Sequence, residues 1–132
     1  MSRENVEIVE RAIAALNERD IDAYLACCTR DIQVQTPFAA LEGVFEGTAG
    51  IRQYWANIED AAPDLRLTVE RLESIGADRV LTFMHVIATG RASSVPLERA
   101  TANVYDLTDG KIRRIRIFLD RQEALEAAGL GK

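Results

Sequence analysis

Two side chains of this 132-residue chain are candidates for proton transfer. Asp120 follows Arg116-Ile117-Phe118-Leu119 and has Glu123 three residues on, and His85, the only histidine, sits in the apolar run from Val80 to Ala88. A histidine and a carboxylate that share a water can activate it as general base and acid. Each also has a plainer role. Asp120 with Glu123 fits a helix start, where a carboxylate caps free amides, and a lone histidine on an apolar strand is commonly a hydrogen-bonded core residue. Strand parity puts Phe83, His85 and Ile87 on one face, and Arg116, Phe118 and Asp120 on one face. Parity alone does not relate the two faces.

Other chemistries find little in the chain. Cys27 and Cys28 are adjacent and cannot close a useful loop or offer metal-ligand spacing, so reduced, buried thiols are expected. A single histidine and no clustered cysteines or acids at ligand spacing argue against a metal site. No phosphate loop or nucleophilic triad is present, and no cofactor is expected. Sixteen basic against twenty-one acidic residues give a net charge of −5, which argues against nucleic acid as a partner. Arg113, Arg114 and Arg116 read as the polar face of a strand, without the interleaved aromatics that stack on bases. No apolar stretch approaches the ~20 residues of a membrane span, and the N-terminus lacks an apolar export core, so a cytoplasmic location is expected.

The elements that must position these residues are legible from period. Val6, Val9, Ile13 and Leu16 lay an apolar stripe along a helix from Ser2 to Glu18. Asp20 caps a second, shorter helix carrying Ile21, Tyr24, Leu25 and Cys28. Asp31–Thr36 alternates as a strand ending at Pro37. Phe38–Gly47 reads as loop with a short strand near Val44 and Phe45, and Thr48 is expected to cap a third helix bearing Ile51, Tyr54, Trp55 and Ile58. From Leu65 the period becomes two: a strand to the Gly76-Ala77-Asp78 turn, a strand over Arg79–Thr89, a polar loop Gly90–Pro96, then Glu98–Leu107 and Lys111–Leu119 joined by Asp109-Gly110. A last helix opens at Asp120 and stops at Gly129. Helices followed by a meander make an α+β fold, expected as a single domain over residues 1–132.

Several of these runs resemble known families. Val9-Glu10-Arg11-Ala12-Ile13-Ala14-Ala15-Leu16-Asn17, Asp20-Ile21-Asp22-Ala23 and Gly47-Thr48-Ala49-Gly50-Ile51-Arg52-Gln53-Tyr54-Trp55-Ala56-Asn57 resemble the bacterial ketosteroid isomerases of the nuclear-transport-factor-2-like superfamily. Thr108-Asp109-Gly110-Lys111-Ile112, Phe118-Leu119-Asp120 and Glu123-Ala124-Leu125-Glu126-Ala127 resemble limonene epoxide hydrolase and the SnoaL-like polyketide cyclases. The resemblance implies a cone-shaped roll in which a curved antiparallel (mixed) sheet wraps N-terminal helices around an apolar cavity. It also implies a hydrophobic small molecule as partner and a homodimer formed through the outer sheet face.

Carried over residue by residue, the resemblance is selective. The isomerase tyrosine donor falls on Ala12 and its base on Thr36, neither of which can replace it, while the second oxyanion donor falls on Asn103. The Arg-x-Asp pair of the epoxide hydrolase falls on Phe83 and His85, its third carboxylate on Asp120, and its first-strand tyrosine and asparagine on Gln33 and Gln35. The cyclases use an acidic general acid/base in this region, which points to Asp120. The resemblance therefore implies Asp120 and His85 as catalytic groups. Asn103, Gln35, Trp55, Phe83 and Phe118 would contact substrate, with a bulge able to turn Thr36 inward instead of Gln35. Two functions follow as expectations: a cofactor-free enzyme doing cyclisation, isomerisation or hydrolysis by acid/base chemistry, or a non-catalytic ligand-binding or oligomerisation domain.

Overall fold

The computed structural model describes residues 2–37, 43–89 and 97–130. Residues 38–42 of the loop expected over Phe38–Gly47, and the loop expected at 90–96, lie outside the described residues. Helix α1 (Ser2–Glu18) has the expected bounds and buries Val9, Ala12, Ile13 and Leu16. It ends at Arg19, whose φ of 60° is unusual for a side chain with a Cβ. The guanidinium holds that turn in place by donating to the carbonyls of Leu16 at 2.7 Å, Pro63 at 2.9 Å and Leu65 at 2.8 Å.

Asp20 caps α2 (Ile21–Ala26) by accepting from the Ala23 amide at 3.1 Å. This helix is shorter than its apolar pattern, because β1 (Cys28–Gln35) begins where the pattern continues. Cys28 is in register with Ile112, and the Ile112 amide donates to the Cys27 carbonyl at 2.8 Å, so sheet pairing overrides the local helical period. The short β2 (Phe45–Glu46) pairs with β1. Helix α3 (Gly47–Ala61) starts one residue before the expected Thr48 cap, with Glu46 at the cap position, its side chain not capping the helix. A Cβ on Gly50 would lie 2.9 Å from the Phe45 backbone, so glycine there lets α3 press directly on β2.

Strands β3 (Arg66–Ile75), β4 (Arg79–Ala88), β5 (Leu97–Thr108) and β6 (Lys111–Phe118) form the antiparallel meander. β1 adds in parallel to β6, giving a mixed, curved sheet of order β2-β1-β6-β5-β4-β3. Alternation then divides the side chains between two faces. The inner face turns Val80, Met84, Tyr105, Leu107, Ile112 and Ile115 against α1 and α3 to form the main core. The outer face carries a smaller core, where Ala124, in the middle of α4 (Arg121–Ala127), and Ala128, just beyond its end, cover Leu81, Ala102 and Val104.

Candidate functional site

The inner face is not filled along its whole length. Between α1, α3 and the sheet lies an apolar pocket of about 340 Å³. Leu65, Leu67, Met84, Val86, Ile117 and Leu119 line it from the sheet side, and Leu16, Ile58, Ala61 and Ala62 from the helices. Phe45 and Tyr54 meet at a centroid distance of 5.4 Å at its wall. The polar lining comprises Thr36, Tyr54, Asn57, Thr101 and Asn103, and no charged side chain is among the described lining residues.

The β3 wall is fixed from an unexpected direction. Asn17 donates through Nδ2 to the Leu67 carbonyl at 2.9 Å and accepts from the Leu67 amide at 2.8 Å, so its side chain pairs with β3 as a neighbouring strand would. Together with Arg19, it ties the end of α1 to the segment that presents Leu65 and Leu67. Both residues follow the helical apolar stripe, and nothing in residue type or period distinguishes them from ordinary helix-end polar groups.

Asn103 is buried in the pocket wall, 6% exposed, beside Thr101 at 5%. It also borders a narrow inner extension of about 30 Å³, lined in part by Tyr24, Tyr54 and Tyr105. Its Nδ2 donates to the Tyr105 hydroxyl at 3.2 Å, while Oδ1 is buried without a partner among the described residues. Burial pushes the Tyr105 hydroxyl up, an effect that the hydrogen bond from Asn103 only partly offsets. Burial also raises Tyr24 well above its ordinary value and pushes the Cys28 thiol up to about 12. Cys27 and Cys28 are free and buried. These groups therefore stay protonated at neutral pH and offer the inner face neutral donors and acceptors.

The expected catalytic pair is elsewhere. Phe83, Ala102 and Phe118 are in register across β4, β5 and β6, so the two parity faces carrying His85 and Asp120 are indeed the same face, but it is the outer one. Asp120 is exposed and caps α4, accepting from the Gln122 amide at 2.8 Å, whereas its neighbour Leu119 turns into the pocket. Helix α4 packs on the outer face, and its cap goes with it. His85 lies 3.3 Å from Glu98 and 3.8 Å from Glu70. Phe83 lies beneath the Arg121 guanidinium at 4.5 Å, and Phe118 packs in the outer core.

The remaining candidates divide. Asn103 reaches the pocket. Just past the end of β1, Thr36, and not the exposed Gln35, lines it. Trp55 packs edge-on against Tyr24 at 5.1 Å and borders a separate groove with Leu16 and Ile21. No group of three or more His, Cys, Asp or Glu suited to a metal occurs among the described residues. No helix among them is long and apolar enough to cross a membrane.

Comparison with known proteins agrees with this architecture. The SnoaL-like domain model matches residues 9–115. An NTF2-like protein of unknown function from Burkholderia pseudomallei K96243 superposes with a TM-score of 0.80 at 17% identity, covering 96% of this chain and 97% of that one. TerC, co-crystallised with polyporic acid, gives 0.79 at 22% identity over 96% and 98% of the two chains. The epoxide hydrolase/cyclase-like enzyme SalBIII, which acts in pyran ring formation in the polyether salinomycin, gives 0.75 at 22% over 88% and 90%. At these identities the likeness is one of fold. No curated protein matches the chain in sequence. With the sheet order, the helix placement and a family match over most of its length, the chain belongs to the SnoaL-like domain family.

Proposed function

We propose that the inner pocket binds an apolar small molecule and that the Asn103–Tyr105 pair reads one oxygen-bearing group on it. The observation that carries this reading is Asn103 itself: a buried amide on a mainly apolar wall, with its Oδ1 unpartnered among the described residues. Leaving such an acceptor unsatisfied costs about 1–3 kcal/mol, which a ligand hydroxyl placed against it would recover. The narrow extension beside Tyr105 has the dimensions to seat one such oxygen.

The family match and the cyclase-like and ligand-bound relatives support chemistry on the bound molecule, as a cofactor-free cyclisation, isomerisation or hydrolysis. The described lining contributes to such a reaction by holding a flexible ligand in a reactive shape, excluding water and polarising an oxygen through neutral hydrogen bonds. Proton transfer by Asp120 or His85 draws no support from this geometry, since both are on the far side of the sheet. A purely ligand-holding role is favoured by one observation, the lack of an acidic, basic or histidine side chain among the described lining residues.

Naphthol, an aromatic bicycle with one hydroxyl, is a suitable probe. Calorimetric titration is expected to show saturable binding that weakens about tenfold in Asn103→Leu, the worth of one buried hydrogen bond. Equal affinity in the variant would remove Asn103 from the reading. Mass spectrometry after incubation with hydroxylated and epoxide-bearing apolar substrates separates the two roles: product formation assigns turnover, and recovery of every substrate unchanged assigns holding.

A further inference from the structure

On the outer face, remote from the pocket lining, three guanidiniums converge on one carboxylate. Asp106 is 2% exposed and accepts from Arg79 Nε at 2.7 Å on Oδ1. On Oδ2 it accepts from Arg114 Nε at 2.8 Å and Arg116 Nη2 at 3.3 Å. The sheet register builds the cluster, because Arg79 and Arg114 flank Asp106 on adjacent strands and Arg116 follows two residues along β6. One negative charge thus faces three positive ones. Around Arg116, Asp106 is the stabilising charge, while Arg114, Arg79 and Arg113 repel it. The β1 residues in register with Arg114 and Arg116 are Gln33 and Gln35, which are neutral.

The buried Asp106 holds the forks in place and uses few of their donors. Arg79 Nη1 reaches the Ala128 carbonyl at 3.4 Å, and Arg116 Nε is buried without a partner. Most other N–H groups of the cluster have no hydrogen bond among the described residues. Guanidinium forks immobilised in advance bind a multi-oxygen anion with little further loss of side-chain freedom. A local excess of positive charge on a chain of net charge −5 also concentrates anions at one place.

From this arrangement we propose that the Arg79–Arg114–Arg116 cluster binds a phosphate group, with Arg114 and Arg116 as the main donors and Asp106 as the residue that positions them. The site is separate from the apolar pocket and independent of what the pocket binds.

Inorganic phosphate is the direct probe, titrated calorimetrically into the full chain at pH 7 against sodium chloride of matched ionic strength. The expected result is saturable phosphate binding that chloride does not reproduce. Arg114→Gln, at a position about one-third exposed, should weaken binding at least about tenfold, and Asn103→Leu should leave it unchanged. Binding equal to that in chloride, or undiminished in a folded Arg114→Gln protein, would overturn the proposal and leave the cluster a structural ion-pair network only. Co-sedimentation with phosphatidic acid vesicles distinguishes the sources of the group: Arg114-dependent sedimentation assigns a lipid phosphate, and its absence beside phosphate binding assigns a soluble one.

Discussion

The two faces of the sheet use polar residues in opposite ways. On the inner face the polar groups of the described pocket wall are hydroxyls and amides, and its buried tyrosines and cysteine stay protonated. On the outer face carboxylates and guanidiniums predominate, in the Asp106 cluster, the Glu70 and Glu98 side chains beside His85 and the Asp120 cap. A neutral wall tolerates desolvation by an apolar ligand, whereas the charged groups would pay heavily for it. The difference teaches that titratable residues, the first to attract a search for catalysis, mark on this chain the face where an apolar molecule is least welcome.

If that division is right, substitutions should separate stability from ligand binding. The largest effect is expected at Asp106. Asp106→Ala leaves three clustered guanidiniums without their carboxylate and should lower unfolding stability by about 3–5 kcal/mol, measured by urea denaturation at neutral pH. Naphthol affinity of the folded fraction should be unchanged. Loss of naphthol binding in the folded fraction would mean that the two faces are coupled.

Acid should reproduce part of that loss in the unmodified protein. Burial works to raise the Asp106 carboxyl, but the hydrogen bonds from Arg79 and Arg114 and the charges of Arg116 and Arg79 outweigh it, and the net shift is downward. A carboxyl depressed in the folded state stabilises the protein above the unfolded value of about 4 and loses that contribution as pH falls through the folded value. Stability should therefore decline on acidification below about pH 4, and the decline should be shallower in Asp106→Asn.

A smaller effect is expected at Asp120. Replacing this helix cap with alanine should cost about 1 kcal/mol, and with asparagine only a few tenths, since asparagine caps equally well. Thermal melts of the two variants check this. Asp120→Asn that abolishes naphthol binding without loss of stability would restore Asp120 to the site.

Much of the fold was legible because it rests on local period and turn chemistry. The apolar stripe of α1, the Asp20 and Asp120 caps and the Asp109-Gly110 hairpin all act over a few residues, and each is present. The ends of α2 and β1 were not legible, because a non-local parallel pairing between Cys28 and Ile112 decides them. The site was only partly legible for a related reason. Parity correctly grouped Phe83 with His85 and Phe118 with Asp120, but the face each group takes depends on which helices cover the sheet. The family resemblance pointed to Asn103 and to Gln35 with Thr36 as its alternative, of which Asn103 and Thr36 line the pocket, while Asp106, Asn17 and Arg19 gain their roles from partners at least eight residues away or across the fold. Asp106 carried a weak signal in its alternation with Ala102 and Val104, which placed a carboxylate on an apolar strand face.

The central claim, that this protein works through the neutral inner pocket, is tested most directly by one calorimetric comparison with naphthol. Ile117→Trp places a large side chain into the pocket from β6, and the double variant His85→Ala/Asp120→Asn removes the titratable pair from the outer face. Naphthol binding should be lost in the first and retained within about twofold in the second, a difference under about 0.5 kcal/mol. Retained binding in the filled pocket, together with loss in the outer-face variant, would contradict the claim.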